Sequence, residues 1–185
     1  MSKHFIDAET LLAESFRLGA RIHASGYRPD LLLGVWRGGA PIAIAVHEYL
    51  SFRGHDCEHL PVRVSAYTGI DAQREQVAIH GLAGLLAEVA GYRRLLVVDD
   101  VLDTGRSLRT LLTALSAAPG ERELRTACPW YKPGRSRCGL TPDYHLHATD
   151  AWLVFPHELV GLDAAELRAG KGRLAELLLD DPAGS

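Results

Sequence analysis

Apolar and polar positions along this chain switch repeatedly between a helical and a strand-like period. Apolar residues recur at helical intervals from Asp7 to Ile22, which predicts a first amphipathic helix. After the breaker pair Pro29-Asp30, the short apolar run Leu31–Trp36 reads as a strand, and Pro41–Phe52 as a helix with proline in its first turn. Leu60–Tyr67 alternates like a strand. The polar, glycine-bounded stretch Thr68–Gly81 predicts a long loop, and Leu82–Val89 a short helix leading into the apolar run Arg94–Val98. Beyond Ser107 a helix extends to about Ala117, and Leu124–Trp130 reads as a strand. Tyr131–Asp143 is rich in Pro, Gly and Arg, and two short strands follow, Tyr144–Ala148 and Ala151–Phe155. Alternating β and α elements imply an α/β fold, a mostly parallel twisted sheet flanked by helices. Residues Ala164–Leu179 return to helical spacing, and no internal repeat or low-complexity tract interrupts the pattern.

Composition narrows this picture. A chain of 185 residues, 47% hydrophobic and 23% charged, is expected to form one domain spanning 1–185. A net charge of −3, from 20 Lys+Arg against 23 Asp+Glu, gives no overall pull toward nucleic acid or an anionic membrane. The N-terminus shows no apolar signal core and no segment is long enough to span a bilayer, so a cytoplasmic location is expected. Cys57, Cys128 and Cys138 lack C-x-x-C spacing and read as reduced thiols. His145 and His147, and the group His55, Cys57 and His59, bring no second cluster to complete a metal site and read as structural.

The chemistry concentrates in "VVDDVLDTGRSL", Val97–Leu108. In an open parallel sheet, ligands bind at the carboxyl ends of strands beside helix N-termini. Asp99 and Asp100 fall where an apolar strand leaves such a sheet, two charges whose desolvation is costly without a compensating ligand or ion. Alternation along a strand places neighbouring side chains on opposite faces, which disfavours a shared-proton dyad. Two carboxylates at a strand end instead suit a vicinal diol, directly or through Mg²⁺. Thr104, Gly105, Arg106 and Ser107 supply backbone N–H groups and hydroxyls at a helix start, a cradle for phosphate. Helix capping alone accounts for one Asp or Thr there, but not for the acid pair. Diol recognition beside phosphate recognition describes a ribose 5-phosphate. A second candidate anion loop lies in "GVWRGGAPIA", where two glycines follow Arg37.

The segment Val97–Leu108 resembles the phosphoribosyl pyrophosphate (PRPP) binding motif of type I phosphoribosyltransferases. The chain is most similar to the bacterial xanthine-guanine and related 6-oxopurine members, through "WRGG" (Trp36–Gly39), "AQRE" (Ala72–Glu75), "DDVLDTG", "YKPGR" (Tyr131–Arg135) and "DAWLVFPHE" (Asp150–Glu158). The resemblance covers a core of about 31–159, leaves a C-terminal helical extension of about 160–185 outside it, and implies a Rossmann-like core with a small hood. It also implies transfer of the 5-phosphoribosyl group from PRPP to hypoxanthine, guanine or xanthine in purine salvage, releasing pyrophosphate. Asp99, Asp100, Asp103, Thr104, Gly105, Arg106 and Ser107 would bind PRPP, with Asp100 at a Mg²⁺ ion. Arg37, Gly38, Gly39 and Arg74 would hold pyrophosphate. Lys132, Trp152 and Leu153 would take the purine, Lys132 donating to its 6-oxo group. Asp103 would accept the N7 proton as general base. The family also implies a homo-oligomer, dimer or tetramer, and the charge balance leaves no nucleic-acid partner expected. Trp36 and the pair His157-Glu158 depart from the family pattern. A non-purine acceptor and a non-catalytic PRPP sensor remain as alternative readings.

Overall fold

The computed structural model describes residues 3–68 and 75–179, without the side chains of 66–68 and 75–76. Two compact units emerge. One joins the N-terminus, through Ala13, to the chain from Ala151 onward; the other is Glu14–Asp150.

The larger unit is built on the sheet that the alternating pattern predicts. Strands β2 (Leu31–Trp36), β3 (Glu58–Thr68), β5 (Arg94–Val98) and β7 (Glu123–Ala127) lie parallel, in the order β3-β2-β5-β7. Central strands buried on both faces read as continuous apolar runs, and Leu31, Leu32, Leu33, Leu95, Leu96, Val97 and Val98 are all almost fully buried. Leu31, Leu33 and Val35 join Leu95 and Val97 in one cluster, with Val89 of α3 (Leu82–Val89) and Leu108, Leu111 and Leu115 of α4 (Arg106–Ala117). On the opposite side α2 (Gly39–Phe52) closes against β2. A side chain at Gly34 would place its Cβ 2.7 Å from Ala43 Cβ, so the glycine sets how closely helix and strand approach. Helix α1 (Ala8–Ala24) meets α2 at Gly19, whose Cβ would fall 2.9 Å from Tyr49 Cβ.

Several expectations are corrected. The stretch Thr68–Gly81 is not all loop, because β4 (Glu75–Ile79) pairs antiparallel with β3 at the sheet edge. An edge strand buries little, so its sequence stays polar and hides its partner. Tyr144–Ala148 is not a full strand: Tyr144 makes one bridge to Ala127, and β9 is only His147–Ala148. That short strand extends a second sheet, in which β6 (Val101–Leu102), β8 (Trp130–Tyr131) and β9 run parallel. This small sheet continues the chain beyond the ends of β5 and β7, and so carries the segments after Asp100 and after Trp130 side by side.

In the smaller unit β1 (Lys3–Phe5) pairs parallel with β10 (Trp152–Val154). Helices α5 (Ala164–Gly170) and α6 (Leu174–Leu179) follow; the continuous helical spacing of 164–179 is broken at Lys171–Arg173. Asp163 and Glu166 form a reciprocal capping box that starts α5. Among the described residues no helix is long and apolar enough to cross a membrane.

Candidate active site

β5 ends at Val98, and the chain bends immediately. Asp100 donates its backbone N–H to Asp99 Oδ1 at 2.9 Å, and Val101 donates to Asp100 Oδ1 at 2.8 Å. Strict alternation therefore stops before the acid pair, and the two carboxyls interact, contrary to the expectation of opposite faces. Burial first, then the Asp100 charge, pushes the Asp99 carboxyl well above the usual carboxylate range. The same two causes, burial and these acids, raise the thiol of Cys128 beneath them.

Past Leu102 the backbone forms a hollow of about 110 Å³, lined by Asp99, Asp103, Thr104, Gly105, Arg106 and Ser107 among others. Gly105 has φ +75°, a conformation that favours glycine, and its missing side chain admits Cys138 Sγ. Helix α4 starts at Arg106, so its amino end and macrodipole face this turn, as phosphate binding requires.

The acid pair also meets the loop after β2. A Cβ at Gly38 would overlap the Asp100 carboxylate, and one at Gly39 would lie 2.6 Å from Val98 O and 2.8 Å from Asp99 Cα. The predicted pyrophosphate loop and the predicted diol-binding acids are thus in contact, although 60 residues of chain separate Gly39 from Asp99. Arg37 is exposed at the strand exit. Arg74 lies outside the described residues.

On the other side Lys132 is fixed by strand pairing. β8 runs beside β6, and Lys132 N–H donates to Leu102 O at 2.9 Å. Its side chain is buried, and its ammonium donates to Asp103 Oδ2 at 3.0 Å. Arg135 Nε donates to the other oxygen, Oδ1, at 2.6 Å. The turn that places Arg135 is closed by Arg135 N–H and Ser136 N–H on Lys132 O, each 3.1 Å, and Arg137 N–H ties it to Thr104 O at 3.1 Å. Gly134 donates to Asp150 Oδ1 at 3.0 Å. Sequence reasoning quoted Arg135 within "YKPGR" without giving it a part; its signal was a second cation three residues after Lys132 at a strand exit.

Burial disfavours the charged form of Asp103, but the hydrogen bonds from Arg135 and Lys132 outweigh it and hold the carboxyl below the usual carboxylate range. A depressed acid keeps its charge until pH falls through the lowered value. For an activity that needs the Asp103 carboxylate, loss through protonation is expected below the ordinary carboxylate range, and Arg135→Gln is expected to move that acid limb of kcat/KM upward. A pH–rate profile of both proteins checks this; an unmoved limb would separate Arg135 from Asp103.

Trp152 and Leu153 stand in the smaller unit, at the start of β10, Trp152 half-exposed and Leu153 buried. Two of the histidines read as structural are engaged locally. His147 Nε2 lies 2.9 Å from Glu14 Oε2 and stacks on Trp130, while His55 Nε2 contacts Pro29 O at 2.8 Å. Among the described residues, no group of three or more His, Cys, Asp or Glu side chains is arranged to hold a metal ion.

The acid pair, the glycine-opened loop and the amino end of α4 thus gather at the carboxyl ends of parallel strands, where open α/β sheets bind ligands. The Phosphoribosyl transferase domain matches residues 5–157, and the chain belongs to that family. Among curated relatives, an orotate phosphoribosyltransferase of Stenotrophomonas maltophilia is 34% identical over 120 residues, 62% of this chain and 48% of the relative. A bifunctional protein PyrR of Roseiflexus is 30% identical over 122 residues, 62% of this chain and 63% of the relative. The chain thus spans less than two thirds of the length of these relatives. A purine phosphoribosyltransferase from Pyrococcus horikoshii shares the fold at TM-score 0.69 and 26% identity, over 88% of this chain and 99% of that one.

Proposed function

We propose that the protein transfers the 5-phosphoribosyl group of PRPP to a 6-oxopurine, forming the nucleoside 5'-monophosphate and pyrophosphate. The observation that carries the choice of acceptor is the Lys132–Asp103 couple, a buried ammonium donor 3.0 Å from a carboxylate acceptor. A 6-oxopurine with hydrogen on N7 presents the complementary edge, an oxygen acceptor beside an N–H donor. A 6-aminopurine turns a donor toward the lysine and loses that contact. The P. horikoshii purine enzyme supports this reading at the level of a relative.

In this reading the turn Thr104–Ser107 holds the 5-phosphate, and Asp99 and Asp100 hold the ribose hydroxyls. Arg37 with the backbone at Gly38 and Gly39 holds the departing pyrophosphate, to which the family resemblance also assigns Arg74. Asp103, released from Lys132 when the base engages the ammonium, takes the N7 proton as the bond at N9 forms. Trp152 and the Leu153 backbone serve the base as a stacking face and an edge contact.

Asp100 fits a place at Mg²⁺: its carboxylate is a hard oxygen donor, and Gly38 contributes no side chain in front of it. Bound there, the ion would supply charge neutralisation for the pyrophosphate. A homo-oligomer acting in the cytoplasm completes the proposal.

The test is acceptor selectivity in Lys132→Met. The kcat/KM for hypoxanthine is expected to fall roughly 10- to 100-fold, the worth of one charged hydrogen bond, with little change in the poor use of adenine. Equal losses on both bases would remove the argument for a 6-oxo contact. A second reading, transfer to orotate, is favoured by the 34% identical S. maltophilia relative.

A further inference from the structure

The chain beyond the family match, from Glu158 onward, turns back onto the end of β10. Phe155, the residue after β10, is pinned from both sides of its peptide. Its N–H donates to Glu158 Oε2 at 2.9 Å, and its carbonyl accepts from Glu158 N–H at 3.0 Å and from Lys171 Nζ at 2.6 Å. Lys171 Nζ also reaches Pro156 O at 3.4 Å.

Lys171 is an unusual residue to find there. It is only 8% exposed, and the hydrogen bonds found for its ammonium go to these two backbone carbonyls. A buried lysine pays desolvation that a surface lysine avoids, and burial draws its pKa below the usual lysine range, with Glu158 opposing. The turn that presents it is built to hold it. Lys171 N–H closes α5 on Leu167 O at 2.9 Å, and Gly170 lacks the side chain that would overlap the Phe5 ring of β1. The ammonium itself lies 5.9 Å from that ring's centre. Lys3, at the start of β1, anchors the same helix through Glu166 at 2.6 Å. β1 is paired residue for residue with β10, Lys3 with Trp152 and Phe5 with Val154. The C-terminal segment therefore grips β10 twice, through its neighbour β1 and directly through the carbonyls that follow it.

We infer that Lys171 is a positioning residue for the acceptor base, fixing from the C-terminal segment the far end of the short strand whose start carries Trp152 and Leu153. The inference rests on the function proposed above, since those two residues are assigned to the base. Lys171 touches no reacting atom; it acts by holding the Phe155 and Pro156 carbonyls, so its removal loosens the acceptor contacts and leaves the PRPP cradle in the other unit intact.

The experiment compares wild type and Lys171→Met, which keeps an unbranched side chain one atom shorter and removes its donors, in steady-state assays with PRPP, Mg²⁺ and hypoxanthine. The KM for hypoxanthine is expected to rise roughly 10-fold, on the scale set by small misplacement of a substrate-positioning group, while the KM for PRPP stays unchanged. Should Lys171→Met fail to fold, Lys171→Gln, which retains one donor group, carries the same comparison. A wild-type protein that turns over hypoxanthine, with variants that move both constants alike or neither, overturns the inference alone. A wild-type protein that transfers nothing to hypoxanthine overturns the function reading, and this inference with it.

Discussion

Asp103→Asn is expected to lower kcat by roughly 10²–10⁴-fold, with a far smaller change in the dissociation constant for PRPP. The amide keeps the size of the carboxylate and can still accept from Lys132, so the cradle at Thr104–Ser107 has no reason to move. What it cannot do is take a proton. Asp103 is suited to that part because of its place: it follows β6, faces Lys132 at 3.0 Å and Arg135 at 2.6 Å, and lines the same hollow as the phosphate-binding turn. Its depressed pKa keeps it ionised, at the cost of basicity, until a base draws Lys132 away and leaves the carboxylate short of one partner. Single-turnover kinetics with equilibrium PRPP binding separate the two quantities. An unchanged kcat would remove Asp103 from the chemistry, and a lost PRPP affinity would make it a binding residue.

The adjacent glycines of the second anion loop are expected to fail in different ways. In Gly38→Ala the new methyl overlaps the Asp100 carboxylate, a side chain that can swing aside. Folding then survives and the acid pair is displaced, lowering kcat/KM for PRPP by roughly 10²-fold, the scale of one preorganised electrostatic contact. In Gly39→Ala the methyl meets backbone, Val98 O at 2.6 Å and Asp99 Cα at 2.8 Å, at the junction of α2 with β5. Backbone cannot swing aside, so stability falls by about 1–3 kcal/mol, with Tm dropping roughly 2–4 °C for each kcal/mol. Thermal melts and PRPP kinetics on both variants check the contrast. If Gly38→Ala were the less stable and Gly39→Ala the less active, the contact between loop and acid pair would be misread.

Much of this site was legible in the sequence because its parts are local. Asp99 to Ser107 sit within one strand-to-helix turn, and Arg37 to Gly39 within another, so residue type and spacing carried both readings. The contact between the two turns was not legible, since it depends on β2 and β5 being neighbours in the sheet. The same holds for Arg135: its partner Asp103 lies 32 residues earlier and meets it only because β6 and β8 pair. Alternation misjudged Asp99 and Asp100 because the strand ends one residue before them. β4 escaped notice because an edge strand needs few apolar residues, and the clamp of Lys171 on Phe155 left no periodic trace, only a lysine between two short helices.

The central claim is PRPP-dependent transfer to a 6-oxopurine. It is tested most directly by incubating the purified protein with PRPP, Mg²⁺ and an equimolar panel of hypoxanthine, guanine, xanthine, adenine, uracil and orotate, and identifying the nucleotides by mass. The account predicts a 6-oxopurine nucleoside monophosphate that disappears with Asp103→Asn. Orotidine monophosphate as the product, or no nucleotide while PRPP still binds, would contradict it.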